Sequence, residues 1–243
     1  MRRWLAPTMP LAFLLMMWVG SGAARGQALP LLARPSADQW ERVRASGLVP
    51  LEQLPEQIRP KIKPVLERPT LYCHSAGETF SCHPPLYFWL LDNPDRGVPF
   101  WQRLGATCLP ITPLGHGRFG WSDGQGSEIH WETVYRTDKV RVWYAEGNVR
   151  PAPLMPLVPV RAAVVLRHNA GKNEKGAANV SHQGDLFLYT DSRAAALVAR
   201  LMGPQAPRLA EQGLSQLELF FSGPAWYLQQ HPDRIGMLRN KDK

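Results

Sequence analysis

Residues 127–146 read SEIHWETVYRTDKVRVWYAE, two runs of alternating character that meet at Thr137-Asp138. Alternation over that length marks strands with one buried face, because successive strand side chains point to opposite sides. With Thr137-Asp138 as the turn, Tyr135 faces Val140, Thr133 faces Val142 and Trp131 faces Tyr144, all on the side of Ile129. The other side carries Glu128, His130, Glu132 and Arg141. A slip of one residue would bury the charges, so the pattern predicts the register.

Strand texture extends outward from this hairpin. Thr107–Thr112, Arg118–Ser122, Val158–Arg167 and Asn179–Tyr189 are further predicted strands, most of them bounded by Gly- and Asp-rich turns. Before them, Thr70–Cys82 reads as a strand pair around Ala76-Gly77. Pro84 and Pro85 sit where a helix start tolerates proline, and Leu86–Leu91 is apolar all round, which predicts a deeply buried short helix. Asn93-Pro94 ends it, and a second helix near Val98–Leu104 closes on Gly105. After the strands, Ser192 caps a helix over Arg193–Met202. In the last element, Pro207–Gln230, Ala210, Leu214, Leu217, Phe221 and Leu228 form an apolar stripe at helical spacing. Gly223-Pro224 should kink or split that helix.

The N-terminus has a different composition. Arg2 and Arg3 precede an apolar run, Leu11–Val19, and small residues follow through Ala28. A charged start, a short apolar core and a small-residue exit make a secretory signal peptide over residues 1–28, so the mature chain is expected in the periplasm or outside the cell. The run is too short to span a bilayer, which needs about 20 apolar residues. A Pro-rich helical segment, 29–68, comes next. Ser36 and Gln39 form a capping box for a helix closed by Gly47, and Pro55, Pro60 and Pro64 break the stretch after it into short turns. The main domain is then 69–232, with a basic tail over 233–243. Removing Arg2, Arg3 and Arg25 lowers the 28 basic residues to 25 against 20 acidic ones. Export makes nucleic acid the least expected partner for that charge, and peripheral contact of the basic tail with the cell envelope is the alternative.

The chain has three cysteines. In an oxidising compartment one disulfide and one leftover thiol are expected, and Cys73 with Cys82, flanking a small polar stretch, are a plausible pair across a hairpin. The Cys73-His74 and Cys82-His83 pairs offer zinc-type donors, but adjacent strand residues point to opposite faces and cannot readily meet one ion. No metal or cofactor site is therefore expected. A c-type haem site would need Cys at position 79, where Thr79 stands. Glu128, His130 and Glu132 share a strand face, which a general base or part of a metal site could use and which a solvated ladder with Arg141 explains as well. Glu146 falls on the apolar side, where it needs a partner such as Arg161, Arg167 or His168, or orients a ligand. His168 and His182 fit satisfied core histidines. Ser222-Gly223-Pro224 lacks the strand–Ser–helix context of a nucleophile elbow.

The order of strand, two short helices, about six antiparallel strands and a terminal amphipathic helix resembles the START-like, helix-grip superfamily of polyketide cyclases and lipid-binding proteins. The resemblance runs from Thr70 to His231 and centres on Pro84-Pro85 through Trp101. The apparently doubled first strand and Pro224 in the last helix depart from its pattern. It implies an α+β fold in which a curved antiparallel sheet of six or seven strands wraps the C-terminal helix. It also implies a hydrophobic or amphipathic small molecule, such as a lipid, held between the two. The lining would come from Trp131, Tyr135, Val142 and Tyr144 on the sheet and Phe221 and Trp226 on the helix, with Glu146 as the polar contact. A well-packed aromatic core, to which the nine tryptophans suit equally, is the other reading. On function, an exported non-enzymatic binder leads. A structural or interaction module of the envelope, or a hydrolase or cyclase using Glu146 and His168, are the alternatives.

Overall fold

A computed structural model of the chain describes residues 37–150, 156–190 and 206–239. The signal peptide, the capping box at Ser36, the helix expected at Arg193–Met202 and the last residues of the basic tail lie outside these.

Eight antiparallel strands form one curved, open sheet. They are β1 (Leu71–His74), β2 (Glu78–Ser81), β3 (Thr112–Gly115), β4 (Arg118–Ser122), β5 (Glu128–Arg136), β6 (Val140–Val149), β7 (Val158–Lys172) and β8 (Ala178–Tyr189). The spatial order is β1-β8-β7-β6-β5-β4-β3, with β2 also on β8. The first strand at the far edge begins at Thr112, not at Thr107 as the sequence suggested. From β3 to β8 each strand pairs with the next in sequence, a meander, and β1 and β2 return to the open edge of β8.

Helices cover both faces. On the back face lie α1 (Ala37–Gly47) and α2 (Arg59–Glu67), joined through a single 3-10 turn at Leu51–Gln53. Proline accounts for the shortness of α2: Pro60 occupies its first turn and Pro64 lies inside it. Its apolar face, Ile62, Val65 and Leu66, packs with Ala45, Leu54 and Ile58 onto Val142, Tyr144, Ala163 and Phe187 of the sheet. On the front face lie α3 (Pro84–Asp92), α4 (Pro94–Arg103) and the long terminal helix α5 (Ala206–Gln230). In α3, Tyr87, Leu90 and Leu91 are buried, but Trp89 is 42% exposed, so this helix is not enclosed all round as expected.

The stripe read on α5 is buried: Ala210, Leu214, Leu217, Phe221 and Leu228, joined by Ala225. Fully burying a Leu or Phe contributes about 1.5–3 kcal/mol. Phe221 stacks on Trp143 of β6 with centroids 5.7 Å apart. Leu214 sits over β8 at Gly184, where a Cβ would fall 2.9 Å from its Cδ1, so glycine lets the helix approach the strand.

The helix runs unbroken through Pro224, against the expected split. A proline there withholds the N–H that the carbonyl of Phe220 would otherwise accept. Trp101 of α4 supplies the replacement, its indole N–H donating to that carbonyl at 3.1 Å. Gly223 leaves room for it, since a Cβ there would lie 2.7 Å from the indole ring. Trp101→Phe should therefore cost about 1–3 kcal/mol in urea unfolding. In a Pro224→Ala background, where the helix provides its own N–H, the same substitution should cost less.

Candidate functional site

The hairpin at the centre of the sequence reading folds, but with a different turn and a bulge. The Thr137 hydroxyl accepts hydrogen bonds from the N–H groups of Lys139 and Val140 at 3.2 and 3.0 Å, and Thr137 N–H donates to the Val140 carbonyl at 2.7 Å. Thr137 thus precedes the turn, which consists of Asp138-Lys139. Tyr135 pairs with Val142, whereas Thr133 pairs with Trp143 and Trp131 with Ala145, so Val134 is an extra residue on β5. A bulge of this kind reverses the in–out alternation of one strand relative to its neighbour.

That reversal divides the residues expected to share a cavity. Trp131 and Phe221 belong to the front core. Val142 and Tyr144, with Tyr135 against them, belong to the back core beneath α1 and α2. Trp226 is 50% exposed on the outer side of α5. Glu146 also lies at the back, bonded by Lys61 Nζ of α2 at 2.6 Å and by the Tyr144 hydroxyl at 3.0 Å. Burial would raise its pKa, but those two bonds and the charges of Lys61 and Arg161 outweigh that and hold it below the usual carboxylate value. Glu146 stands opposite Arg161 on β7. His168 is therefore seven positions further along and on the other face, roughly 23 Å away, and the two cannot act as a dyad.

The expected cysteine pair is also corrected. β1 and β2 do not form a hairpin with each other but lie end to end along β8. Cys73 pairs with Leu186, and Cys82 N–H bonds the carbonyl of Ala178. Eight positions along β8 separate these, roughly 26 Å, whereas bridged Cα atoms lie within about 7 Å. Both are free, buried thiols, with burial raising each to about 12. Among the described residues no group of three or more His, Cys, Asp or Glu side chains is placed to hold a metal ion. His130 and Glu128 form a solvated pair at 3.0 Å.

What the fold does assemble is a polar row across the front face. Arg141 of β6, His168 of β7, His182 of β8 and Glu78 of β2 lie side by side, His168 opposite His182 and His182 opposite Glu78. Arg141 belongs to it because the β6–β7 register sets it opposite Leu166, on the face of His168, while the bulge leaves Glu128, His130 and Glu132 on the other face. α3 covers the row. Asp92 pairs with Arg141 at 2.6 Å, the Phe88 ring lies 5.0 Å from that of His168, and the Tyr87 hydroxyl is 2.7 Å from His182 Nδ1. His182 Nε2 lies 2.9 Å from Glu78 Oε1. Its hydrogen bond is the main reason Glu78 stays below the usual carboxylate range. An ionised Glu78 can only accept, so in the neutral ring Nε2 donates to it and Nδ1 accepts from Tyr87. Tyr87 is fully buried and Glu78 half-exposed, so the chain leads from interior to surface.

A second carboxylate adjoins it. Glu218 of α5 accepts from the Ser75 hydroxyl at 2.6 Å, and Ser75 in turn accepts from Gly184 N–H at 2.9 Å. Burial pushes Glu218 above its usual pKa despite these bonds. On the back face, Tyr72 and Arg167 bond the fully buried Asp185 at 2.7 and 2.9 Å, and Glu41 of α1 reaches Arg167 at 3.8 Å. At this end β7 and β8 run on past the start of β6, and a cleft of about 680 Å³ opens there. Arg44, Leu48, Lys139, Arg167, His168 and His182 contribute to its walls. Sequence reasoning singled out both histidines but missed Tyr87, Glu78 and Glu218. A carboxylate within the apolar stripe of α5, as Glu218 is, was the signal that could have found the last of these.

No family model matches the chain, and no curated protein matches it. Solved structures similar to it include a conserved protein from Geobacillus kaustophilus, at 10% identity over 63% of this chain and 96% of that one, with a TM-score of 0.39. An uncharacterised protein from Rhizobium leguminosarum matches at 16% identity over 63% and 97%, TM-score 0.30. The di-domain ARO/CYC StfQ of the steffimycin biosynthetic pathway matches at 14% over 58% and 45%, TM-score 0.17. Scores of this size carry no argument about function, and the site stands on its own geometry.

His168 is neutral at ordinary pH, because burial and then the charge of Arg141 push it down to about 4. In the unfolded chain it titrates near 6.5. The unfolded state therefore takes up the proton first, and stability falls as pH drops from about 6.5 to about 4. The loss attributable to His168 is on the order of 3 kcal/mol. His168→Gln should remove that component, read as the difference between the two proteins' urea-unfolding free energies across this window. The opposing response of Glu218 is common to both proteins and drops out of that difference.

Proposed function

We propose that the protein is an exported, non-enzymatic binding module of START-like type that holds a small amphipathic molecule. The ligand would lie in the cleft beside β7 and β8, not beneath the centre of α5. The cleft is the observation that carries this reading: its volume of about 680 Å³ lies within the roughly 300–1,000 Å³ usual for small-molecule sites. Apolar Leu48 and Val140 share its lining with Arg44, Lys139 and Arg167, which suits a molecule with one apolar and one polar end. Beneath α5 the contacts of Leu214 at Gly184 and of Phe221 on Trp143 leave a ligand less room. The alternative of a structural or interaction module is less favoured, since Leu54, Ile58, Ile62, Val65 and Leu66 of the N-terminal segment are packed against the back of the sheet.

Binding is testable with a fluorescent fatty-chain probe. The protein should bind it at micromolar concentration, and Ala76→Trp, which places an indole in the cleft wall, should weaken binding at least tenfold with unfolding unchanged. Equal binding by both proteins would place the ligand elsewhere. Export is testable separately, by sequencing the mature N-terminus after expression in a bacterium. A chain beginning near Leu29 is expected, and one beginning at Met1 in the cytoplasm would overturn that part of the proposal.

A further inference from the structure

The facing of the cleft floor follows from the strand pairing. Arg167 of β7 and Asp185 of β8 bond each other on the back face. Asn169, two residues on from Arg167, and Ser181, four residues before Asp185, therefore face the same way. Asn169 pairs with Ser181, and Ser181 pairs with Thr79 of β2. The three side chains form one row across three strands, neighbouring Cβ atoms lying about 5 Å apart and the row about 10 Å long. All three line the cleft, Thr79 and Asn169 exposed and Ser181 half-buried. The next row outward, Ser81 opposite Asn179, repeats the chemistry. None of these side chains hydrogen-bonds to another described residue. Elsewhere in the chain Asn93, Thr137 and Asn173 bond nearby backbone, the common local use of these residue types.

The row carries no charge, and two of the three cations at its margin are already matched. Arg167 holds Asp185 at 2.9 Å and lies 3.8 Å from Glu41, which also pairs with Arg44 at 3.6 Å. Hydroxyl and amide side chains both donate and accept, so the row suits a partner that does both at several points along it. A carboxylate only accepts, an ammonium only donates, and a simple alcohol does both at one point. A ring bearing several hydroxyls does both along its length. We infer that the polar end of the cleft ligand is an uncharged polyhydroxyl group, a sugar or similar polyol, lying across Thr79, Ser181 and Asn169. Its apolar end would lie toward Leu48 of α1 and toward Val140, which stands one row along, opposite Arg167. This rests on the cleft being the ligand site. It adds what that reading leaves open, the chemical class of the ligand: a glycoside of an apolar body.

Octyl glucoside, octanoate and octanol provide the test, because they share a chain length and differ in the headgroup. Their binding would be measured by calorimetry on the full chain, below the micelle concentration of the glucoside. The glucoside should bind about tenfold more tightly than either of the others, since a site built around hydrogen bonds rejects the analogue that cannot make them. Asn169→Ala combined with Ser181→Ala should lower the glucoside to the affinity of octanol, with little change for octanol itself. A preference for octanoate would mean that the marginal cations read a charge, and equal binding of octanol would mean that no headgroup is read. Either result overturns the inference while leaving the cleft as a binding site. A glucoside preference that survives the double substitution overturns it too, by placing the sugar elsewhere. If none of the three binds, the cleft reading fails and the inference fails with it. The comparison on the unmodified protein decides between headgroups even if the double variant does not fold.

Discussion

The two-against-one pairing at Val134 sets which way the side chains of β5 and β6 face relative to each other, and much of the interior depends on it. Alternation along a strand is strict, so one inserted residue moves everything beyond it to the opposite face. Trp131 and Trp143 thereby both face the front, where Phe221 of α5 stacks on the second of them. Val142 and Tyr144 go to the back, where α2 covers them. Arg141 turns inward, an expensive position for a charge unless paired, and Asp92 of α3 meets it there. Without the extra residue, Glu128, His130 and Glu132 would share the face of Arg141.

Two glycines and a proline then let the terminal helix lie close to its neighbours. Gly184 admits Leu214 against β8, and Gly223 admits the indole of Trp101. The same indole donates to the carbonyl that Pro224 deprives of its usual partner. The helix therefore continues through a residue that ordinarily ends one, because a neighbouring helix carries the missing donor.

The polar row and the Tyr72–Asp185–Arg167 group lie on opposite faces of the same β7–β8 pair, close to the cleft. Low dielectric strengthens hydrogen bonds in such networks and equally penalises any atom left out of them. His182 and His168, directly opposite each other on β8 and β7, differ in this respect. The first is fixed in place by Tyr87 and Glu78. The second is buried with its Nδ1 unpartnered among the described residues.

Alternation along residues 127–146 determined that a hairpin forms and that Glu128, His130 and Glu132 share one of its faces, and the apolar run 86–91 with the helical spacing of 207–230 added the helices that make the chain α+β, since these patterns are local properties. The prolines of 55–64 likewise determined short helical pieces before β1. Only the tertiary structure decided which core each strand residue enters, because the place of a single bulge depends on the Thr137 turn and on what covers each face. It also decided that β1 and β2 lie end to end, separating Cys73 from Cys82, because both strands take their hydrogen bonds from β8, about a hundred residues later in the chain. Tyr87, His182 and Glu78 come together for the same reason. Each is ordinary in its own stretch of sequence, and the contact among them exists only where α3 crosses the β2–β8 edge.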